Sequence, residues 1–377
     1  MTPTRAFTAS LLHRLQHGLS DLPIELVYTP HERWPLPHPR VHSTPSRTLR
    51  VSVLDSSFNP PTLAHLALAN SRRPSYSQNT HDSLSSVHED NSDYDAKLLL
   101  LSVRNADKSL KPTDASYIQR LEMMFLLAKD INRDAYGDRG TTSTHSSPSD
   151  SSVTPEEEAN VAVAIIDEPT FVGKSRILLA FLQRRLTSLT LSPTAPPPHE
   201  SPHPMPVEKS TSSQDSIQPQ PQLTFLLGFD TLERLLSPRY YTFSSSDPTT
   251  QMLSSLRKFF SHSPEGDDSR VVCARRGASP SDIAIPTNLN QNQDQEQPEN
   301  TKESPPIPGN PTPGLAEEFI TSQGIVLIDI GEDERTFSST AVREMIERRD
   351  AGWRGLVPGR IGEYVERERL YVGGGES

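Results

Sequence analysis

Stretches of apolar residues alternate along this chain with segments whose apolar residues recur at the spacing of a helix. Continuous apolar runs of strand length predict buried β-strands, and they cover residues 49–54, 97–103, 161–167, 222–228, 270–274 and 324–330. Helical spacing lies between most of these runs, at 116–131, 174–186 and 250–260. Buried strands that alternate with helices are typical of a parallel sheet covered on both faces. The pattern therefore predicts an α/β fold with a doubly wound parallel sheet.

Polar segments interrupt this alternation at four places, near residues 73–95, 137–158, 187–221 and 277–315. They are rich in Ser, Pro, Asn, Gln, Asp and Glu and poor in large apolar residues. Such segments bury too little apolar surface to offset the entropy lost on ordering, so we interpret them as disordered insertions. The sequence thus predicts two parts, an N-terminal extension at 1–45 and a sheet domain with insertions at 46–377.

The N-terminal extension begins with a segment, TRAFTASLLHRLQHGLS, whose leucines suit an amphipathic helix docked on the domain. Its arginines and hydroxyl residues, with no acid before Asp21, also overlap with the composition of mitochondrial transit peptides. We favour the docking helix, with an apolar face that comprises Leu11, Leu12, Leu15 and Leu19.

Composition narrows the class of protein. Only 33% of the 377 residues are hydrophobic and 35 are proline, so the packed core is smaller than the length suggests. The net charge of −11, without a cationic stripe, argues against nucleic acid as a partner. The single cysteine, Cys273, excludes an internal disulfide and a cysteine zinc cluster, and no apolar run is long enough for a membrane span. We expect a soluble protein of the cytoplasm or nucleus, with a mitochondrial location as the alternative.

The segment VSVLDSSFNPPTLAHLALANS, at 51–71, is the most informative one. An apolar strand there leads into a Ser/Asn/Pro turn and then into a helix, a geometry that presents backbone N–H groups to phosphate. Thr62 and His65 stand three residues apart in the first helical turn and therefore share one face. The sequence indicates chemistry on a polyphosphate.

The turn contains neither the G-x-x-x-x-G-K of a P-loop nor the G-x-G-x-x-G of a dinucleotide site. Instead, SSFNPPTLAH resembles the G-x-F-x-P-(H/T)-x-x-H signature of the nucleotidylyltransferase superfamily, in the form found in nicotinamide mononucleotide adenylyltransferases of the fungal type. TFSSTAVREMIERR, at 336–349, is similar to that family's I-S-S-T-x-(I/V)-R motif. The two motifs are far apart in sequence and would meet only in this fold, a Rossmann-like nucleotidylyltransferase domain.

The resemblance implies a set of ATP-binding residues, of which His65 and Arg343 are the catalytic ones. His65 would contact the α- and β-phosphates, and Arg343 the β- and γ-phosphates. The implied ATP-binding residues are Ser56, Ser57, Phe58, Thr62, His65, Gly228, Asp230, Ser338, Ser339, Thr340 and Arg343. Asp230 has an alternative interpretation as the cap of a helix that begins at Thr231.

For the acceptor, the segments KPTDASYIQRLEMM and VVCARRG are similar to those that supply cations in the family. The lysine is Lys111 or Lys108. Position after a strand adds one aromatic residue from the DEPTF loop and one from Tyr240 or Tyr241, as platforms for a pyridine ring. The predicted acceptor-binding residues are Lys108, Lys111, Arg120, Phe171, Tyr240 and Arg275.

The reaction implied is attack by the phosphate of nicotinamide mononucleotide on the α-phosphorus of ATP, which gives NAD and pyrophosphate. Mg²⁺ is expected on the ATP phosphates, without protein ligands of its own. The alternatives are another phosphorylated acceptor, or an ATP-binding interaction protein with weak catalysis. ATP and nicotinamide mononucleotide are the expected partners; protein partners of the insertions and a homo-oligomer are further candidates, and a membrane is not expected.

One departure from the family pattern concerns the turn itself. The family has glycine where this chain has Ser56, and glycine allows the adenylate to approach the backbone closely. Phe337 replaces an isoleucine, which is a tolerable apolar change. Ser56 narrows this space, so it is the departure from the motif that bears most directly on activity.

Overall fold

The computed structural model describes residues 3–37, 48–74, 93–104, 113–131, 159–191, 218–241, 247–275 and 313–372. Lys108 and Lys111 lie outside these ranges, as do most of the predicted insertions. The strands are β1 Ile24–Tyr28, β2 Thr48–Asp55, β3 Ala96–Ser102, β4 Val161–Ile166, β5 Gln220–Gly228, β6 Arg270–Ala274 and β7 Ile325–Ile328. The helices are α1 Arg5–Gln16, α2 Leu63–Ala69, α3 Tyr117–Asp130, α4 Phe171–Leu191, α5 Phe229–Leu235, α6 Pro248–Phe260, α7 Pro313–Thr321, α8 Ser339–Glu347 and α9 Gly359–Arg367.

The strands form a seven-stranded sheet in the order β1-β4-β3-β2-β5-β6-β7. All neighbouring pairs are parallel except the edge pair β1/β4. The chain starts the parallel part at β2, proceeds outward to β4, and then returns to the other side of β2 for β5, β6 and β7. This is the strand order of a doubly wound Rossmann-like sheet. The predicted fold class is confirmed, as are all six predicted strands and the three predicted helices.

Two apolar cores cover the faces of the sheet, and alternate residues of each strand enter opposite cores. In β3, Leu98 and Leu100 pack on one side with residues of α4 and α6. Leu99 and Leu101 pack on the other side with residues of α1 and α3. Because both faces are covered, the central strands are apolar throughout, which is why their sequences show no alternation.

The N-terminal extension is part of this packing. The predicted helix is confirmed as α1, and its Leu11 and Leu15 are buried. Leu19, which was assigned to the same apolar face, lies after the helix end and is 62% exposed, so that assignment is wrong. The sequence pattern did not predict β1, which follows α1 and pairs antiparallel with β4.

Several described residues lie inside segments that were interpreted as insertions. Helix α4 continues through 187–191, where the hydroxyls of Thr187 and Thr190 donate to backbone carbonyls of their own helix. Strand β5 includes 220–221, and α7 begins at Pro313. The insertion boundaries are corrected accordingly, because a polar helix end has the composition of a low-complexity segment.

The C-terminal helices form a third apolar core against α3. Met123 of α3 packs there with Val342 of α8, with Trp353 from the segment between α8 and α9, and with Ile361 of α9. This core fixes α8 so that its N-terminus faces the carboxyl end of β2. Within the described ranges, no helix is both long and apolar enough to cross a membrane.

Docking of α1 can be measured by the substitution Leu15→Ala. Leu15 is 2% exposed, so we expect the free energy of unfolding to fall by about 2–5 kcal/mol, because a cavity replaces a buried side chain. Leu19→Ala is the matched control and should change stability by less than about 0.5 kcal/mol. Equal effects of the two substitutions in denaturant titrations would contradict the docked position of α1.

Candidate active site

A cleft of about 1300 Å³ lies beyond the carboxyl ends of the parallel strands. It is centred where the strand order reverses, between β2 and β5. In open α/β sheets, ligands bind at this switch point, because the loops on its two sides diverge and leave a crevice. Nearly all of the predicted site residues that the structure describes line this one cleft.

The turn between β2 and α2 forms one wall of the cleft. Phe58 is fully buried below it with a φ of 46°, in the left-handed region that non-glycine residues rarely adopt. Thr62 is also fully buried and is the N-cap of α2. Phe58 and Thr62 therefore shape the turn from beneath, while Ser56, Ser57 and His65 line the cleft.

His65 is held by hydrogen bonds at both ring nitrogens. The Thr62 backbone N–H donates to Nδ1 at 3.0 Å, which leaves the proton of the neutral ring on Nε2. Nε2 lies 2.8 Å from the Ser56 Oγ and donates to it. Burial lowers the pKa of His65 to about 4, so the imidazole is neutral at pH 7. The neutral ring thus has one N–H donor, which is bonded to Ser56 at the wall of the cleft.

Asn59 connects the turn to the rest of the site. Its side-chain amide donates to Asp114 Oδ1 at 2.7 Å, and its Oδ1 accepts from the Tyr371 hydroxyl at 2.9 Å. The Ala115 backbone N–H donates to the same oxygen at 3.2 Å. These partners come from distant parts of the sequence, so the turn is fixed by tertiary structure and not by its local sequence alone.

The N-terminus of α8 forms the opposite wall. Ser338 is the N-cap, and its Oγ accepts from the Ala341 N–H. The Ser339 hydroxyl donates to the Pro60 carbonyl at 2.7 Å, and Arg343 Nη1 donates to the Asn59 carbonyl at 2.6 Å. These two bonds join segments that are 279 and 284 residues apart in sequence. The structure therefore brings the two halves of the predicted signature together.

Arg343 and Arg120 share one acidic partner. Arg343 Nε lies 3.8 Å from Asp114 Oδ1, and Arg120 Nη2 lies 3.5 Å from Asp114 Oδ2. Arg120 also donates to the Ala115 and Ser57 carbonyls. Desolvation lowers the pKa of Arg120, but a guanidinium stays charged at neutral pH. Asp114 thus aligns two cations at the foot of the turn.

The predicted nucleotide-binding residues after β5 line the cleft as well. Gly228 is the N-cap of α5, and a Cβ at this position would meet no atom within 4 Å, so its surface is open. Asp230 lies inside the first turn of α5, so the alternative of Asp230 as a cap is wrong. Arg275 directly follows β6 and is exposed at the rim of the cleft.

The aromatic residues predicted as platforms for the pyridine ring differ in how deeply they are buried. Phe171, the first residue of α4, lines the cleft and packs edge-on against Phe225, with 5.8 Å between ring centroids. Tyr240 lines the cleft beside Arg239, whose guanidinium lies 4.6 Å from the ring centroid. Tyr241 also lines the cleft, but it is only 5% exposed and donates to the Leu235 carbonyl, so its ring is held by packing.

The sequence analysis missed several cations of the cleft. The described lining contains eight arginine or lysine side chains and four carboxylates. The cations that were missed are Arg104, Lys174, Arg234, Arg239 and Arg335. A signal existed for Lys174, which follows Phe171 at helical spacing directly after the DEPTF loop. The cleft is cationic although the whole chain carries a net charge of −11, which favours an anionic ligand.

Two of the carboxylates that line the cleft are paired with cationic side chains. Asp114 lies beside Arg120 and Arg343, and Asp55 is paired with Lys174. Among the residues that the structure describes, no group of three or more His, Cys, Asp or Glu side chains could hold a metal ion.

Of the comparisons with known proteins, only the comparison with solved structures found similar ones. No protein-family model matches the chain, and no curated protein matches it. Two of the similar solved structures are of Plasmodium falciparum nicotinic acid mononucleotide adenylyltransferase, one complexed with NaAD and one with APC. The NaAD complex is 11% identical, with a TM-score of 0.35, over 85% of this chain and 97% of that chain. The APC complex is 10% identical, with a TM-score of 0.34, over 85% and 96%. At these values neither informs on the substrate, and the function is inferred from the cleft itself.

The protonation of His65 gives a testable pH dependence. The unfolded chain binds the proton with a pKa of about 6.5 and the folded chain with a pKa of about 4, so stability should rise with pH between these values and level off above. We expect His65→Gln to reduce this rise in urea titrations. His13→Gln, at an exposed position of α1, is the control. An unchanged pH profile for His65→Gln would contradict the desolvated, neutral state.

Proposed function

We propose that this protein is a nucleotidyltransferase that transfers the adenylyl group of ATP to nicotinamide mononucleotide, with release of pyrophosphate. The observation that carries the proposal is the junction of the β2–α2 turn with the N-terminus of α8. The Ser339–Pro60 and Arg343–Asn59 hydrogen bonds place His65 and the α8 N-terminus on facing walls of one cleft. A triphosphate bound between them would contact both walls.

The α8 N-terminus supports binding of the β- and γ-phosphates. A helix N-terminus presents backbone N–H groups and a partial positive charge, both of which stabilise phosphate oxygens. Ser338, Ser339 and Thr340 add hydroxyls at this point, and Arg343 adds a guanidinium. The leaving pyrophosphate gains charge in the transition state, so these groups would act where charge develops.

His65 would stabilise charge near the α-phosphate. The acceptor phosphate is already ionised near pH 7, so a general base is not needed. Its oxygen forms a bond to the α-phosphorus while the bond from that phosphorus to the β-phosphate oxygen breaks. The neutral His65 ring would donate its Nε2 hydrogen to a phosphate oxygen in place of Ser56. A low pKa suits this role, because the ring keeps one donor and transfers no proton.

The acceptor would bind where Phe171 lines the cleft. Phe171 offers an aromatic contact to the pyridine, and Tyr240 is the second candidate. Arg120 and Arg275 supply positive charge for the acceptor phosphate, together with Lys108 or Lys111, the lysines predicted from the sequence. Adenine and ribose would approach Gly228, where the open backbone surface leaves room.

Magnesium fits this arrangement as part of the ATP substrate. Asp114 and Asp55 are engaged by cations, so the ATP phosphates and water are better ligands than these carboxylates. When bound, Mg²⁺ would neutralise charge on the triphosphate, and the cationic side chains of the cleft would orient it.

One observation favours a second function, an ATP-binding protein with weak transfer activity. In the structure, His65 donates its Nε2 hydrogen to Ser56 Oγ. The reaction would need the same hydrogen for a phosphate oxygen. Retention of this bond with ATP present would reduce catalysis without removing the binding site.

The assay mixes the protein with ATP, Mg²⁺ and a panel of phosphorylated acceptors, and it measures pyrophosphate and NAD. We expect NAD formation from nicotinamide mononucleotide, and a reduction of kcat by about 10²–10³-fold in His65→Ala, since one donor to the transition state is lost. The control is His13→Ala, which lies outside the cleft.

Release of pyrophosphate only with another acceptor would contradict the proposed substrate. Tight ATP binding by the wild-type protein without transfer to any acceptor would support the second function instead. Retention of full activity in His65→Ala would refute the role of the histidine.

A further inference from the structure

A buried ion pair lies at the floor of the cleft, between Asp55 at the end of β2 and Lys174 in the first turn of α4. The Lys174 ammonium donates to Asp55 Oδ2, and the residues are 4% and 9% exposed respectively. Both nevertheless line the cleft. The pair was not part of the predicted site.

The position of the pair connects it to the acceptor end of the cleft. Lys174 Nζ lies 4.7 Å from the ring centroid of Phe171, the residue assigned above as a platform for the pyridine. Asp55 directly precedes Ser56, the hydrogen-bond partner of His65. Lys174 Nζ lies over one face of the Phe171 ring, so a pyridine ring that contacts the edge of Phe171 would lie close to Asp55 and Lys174.

The chemistry of the pair distinguishes two substituents of a pyridine ring. Together, Asp55 and Lys174 carry no net charge; beyond the bond between them, the carboxylate can accept further hydrogen bonds and the ammonium can donate further ones. A primary carboxamide has a matching donor, its NH₂ group, and a matching acceptor, its carbonyl oxygen. A carboxylate has two acceptor oxygens and a negative charge, so one oxygen would face the Asp55 carboxylate in a site with little water.

We propose that the Asp55–Lys174 pair is a specificity determinant that selects a pyridine carboxamide over a pyridine carboxylate. Lys174 donates to the amide oxygen, and Asp55 accepts from the amide NH₂ group. This inference rests on the proposed function, since it assigns the acceptor of that same site. The Asp55–Lys174 pair distinguishes this end of the cleft from the remainder, where arginines favour any anionic group.

A purely structural role would also explain a buried pair, because it ties β2 to α4. The chain contains a second acid–lysine pair for comparison, in which only the lysine is buried. Lys97 is 5% exposed and lies 3.7 Å from Asp93, whose side chain is 49% exposed, at the amino end of β3 and away from the cleft. Substitutions there change an acid–lysine pair that does not line the cleft.

The experiment measures kcat/KM with nicotinamide mononucleotide and with nicotinate mononucleotide, and the ratio of the two. We expect the wild-type protein to prefer the nicotinamide form by at least about tenfold. Asp55→Asn removes the repulsion and keeps Lys174, so kcat/KM with the nicotinate form should rise and the ratio should fall about tenfold. The control Asp93→Asn should leave the ratio unchanged.

Asp55→Asn leaves Lys174 buried without its partner and could therefore prevent folding. A second variant tests the proposal in that case. The double substitution Asp55→Leu/Lys174→Met replaces both charges with apolar groups of similar volume, an exchange that buried pairs often tolerate. Its ratio should fall to near one, because the carboxamide loses both partners. Asp93→Leu/Lys97→Met is the matched control, and thermal melting checks folding in every variant.

Calorimetric dissociation constants for the two mononucleotides provide the same ratio without turnover. Absence of pyrophosphate with both acceptors would refute the proposed function, while the ratio of dissociation constants would still test the pair. A wild-type preference for the nicotinate form, or a ratio that Asp55→Asn and the double variant leave unchanged, would overturn the inference.

Discussion

The site depends on the hydrogen bonds that α8 makes to the turn after β2. Arg343 and Ser339 donate to two consecutive carbonyls, those of Asn59 and Pro60, and so attach the C-terminal part of the chain to the first parallel strand. Asn59 is held in turn by Asp114 and by the Tyr371 hydroxyl. These bonds connect the two walls of the cleft directly to each other. The third apolar core, between α3, α8 and α9, keeps the bonding groups in register.

The charge of the cleft is opposite in sign to the net charge of the whole chain. An excess of arginines lines the cleft of an acidic protein, and neutral His65 is placed among them. Such an arrangement attracts a polyphosphate and keeps a hydrogen-bond donor at one defined atom. The hydroxyl of Ser56 holds that donor in the structure, and a ligand oxygen would have to replace it. The balance between these two acceptors would set how well the site catalyses transfer.

Much of the fold could be predicted because buried parallel strands are continuous apolar runs, which few other elements resemble. Strand β1 escaped prediction because it is short, lies at the edge and contains the polar Glu25. The helix end at 187–191 escaped because its threonines and serine have the composition of a loop. In the site, the turn and the α8 start were visible as motifs. The roles of Asn59 and Lys174 were not, since their partners are far apart in sequence and only the tertiary structure brings them together.

The central claim is that the β2–α2 turn and the α8 N-terminus hold one triphosphate between them. A crystal structure of the protein with a non-hydrolysable ATP analogue and Mg²⁺ tests this most directly. We expect the α-phosphate within hydrogen-bond distance of His65 Nε2, with the Ser56–His65 bond broken, and the γ-phosphate at the backbone N–H groups of α8. A triphosphate bound elsewhere, or one that touches only one wall while Ser56 keeps its bond to His65, would contradict it.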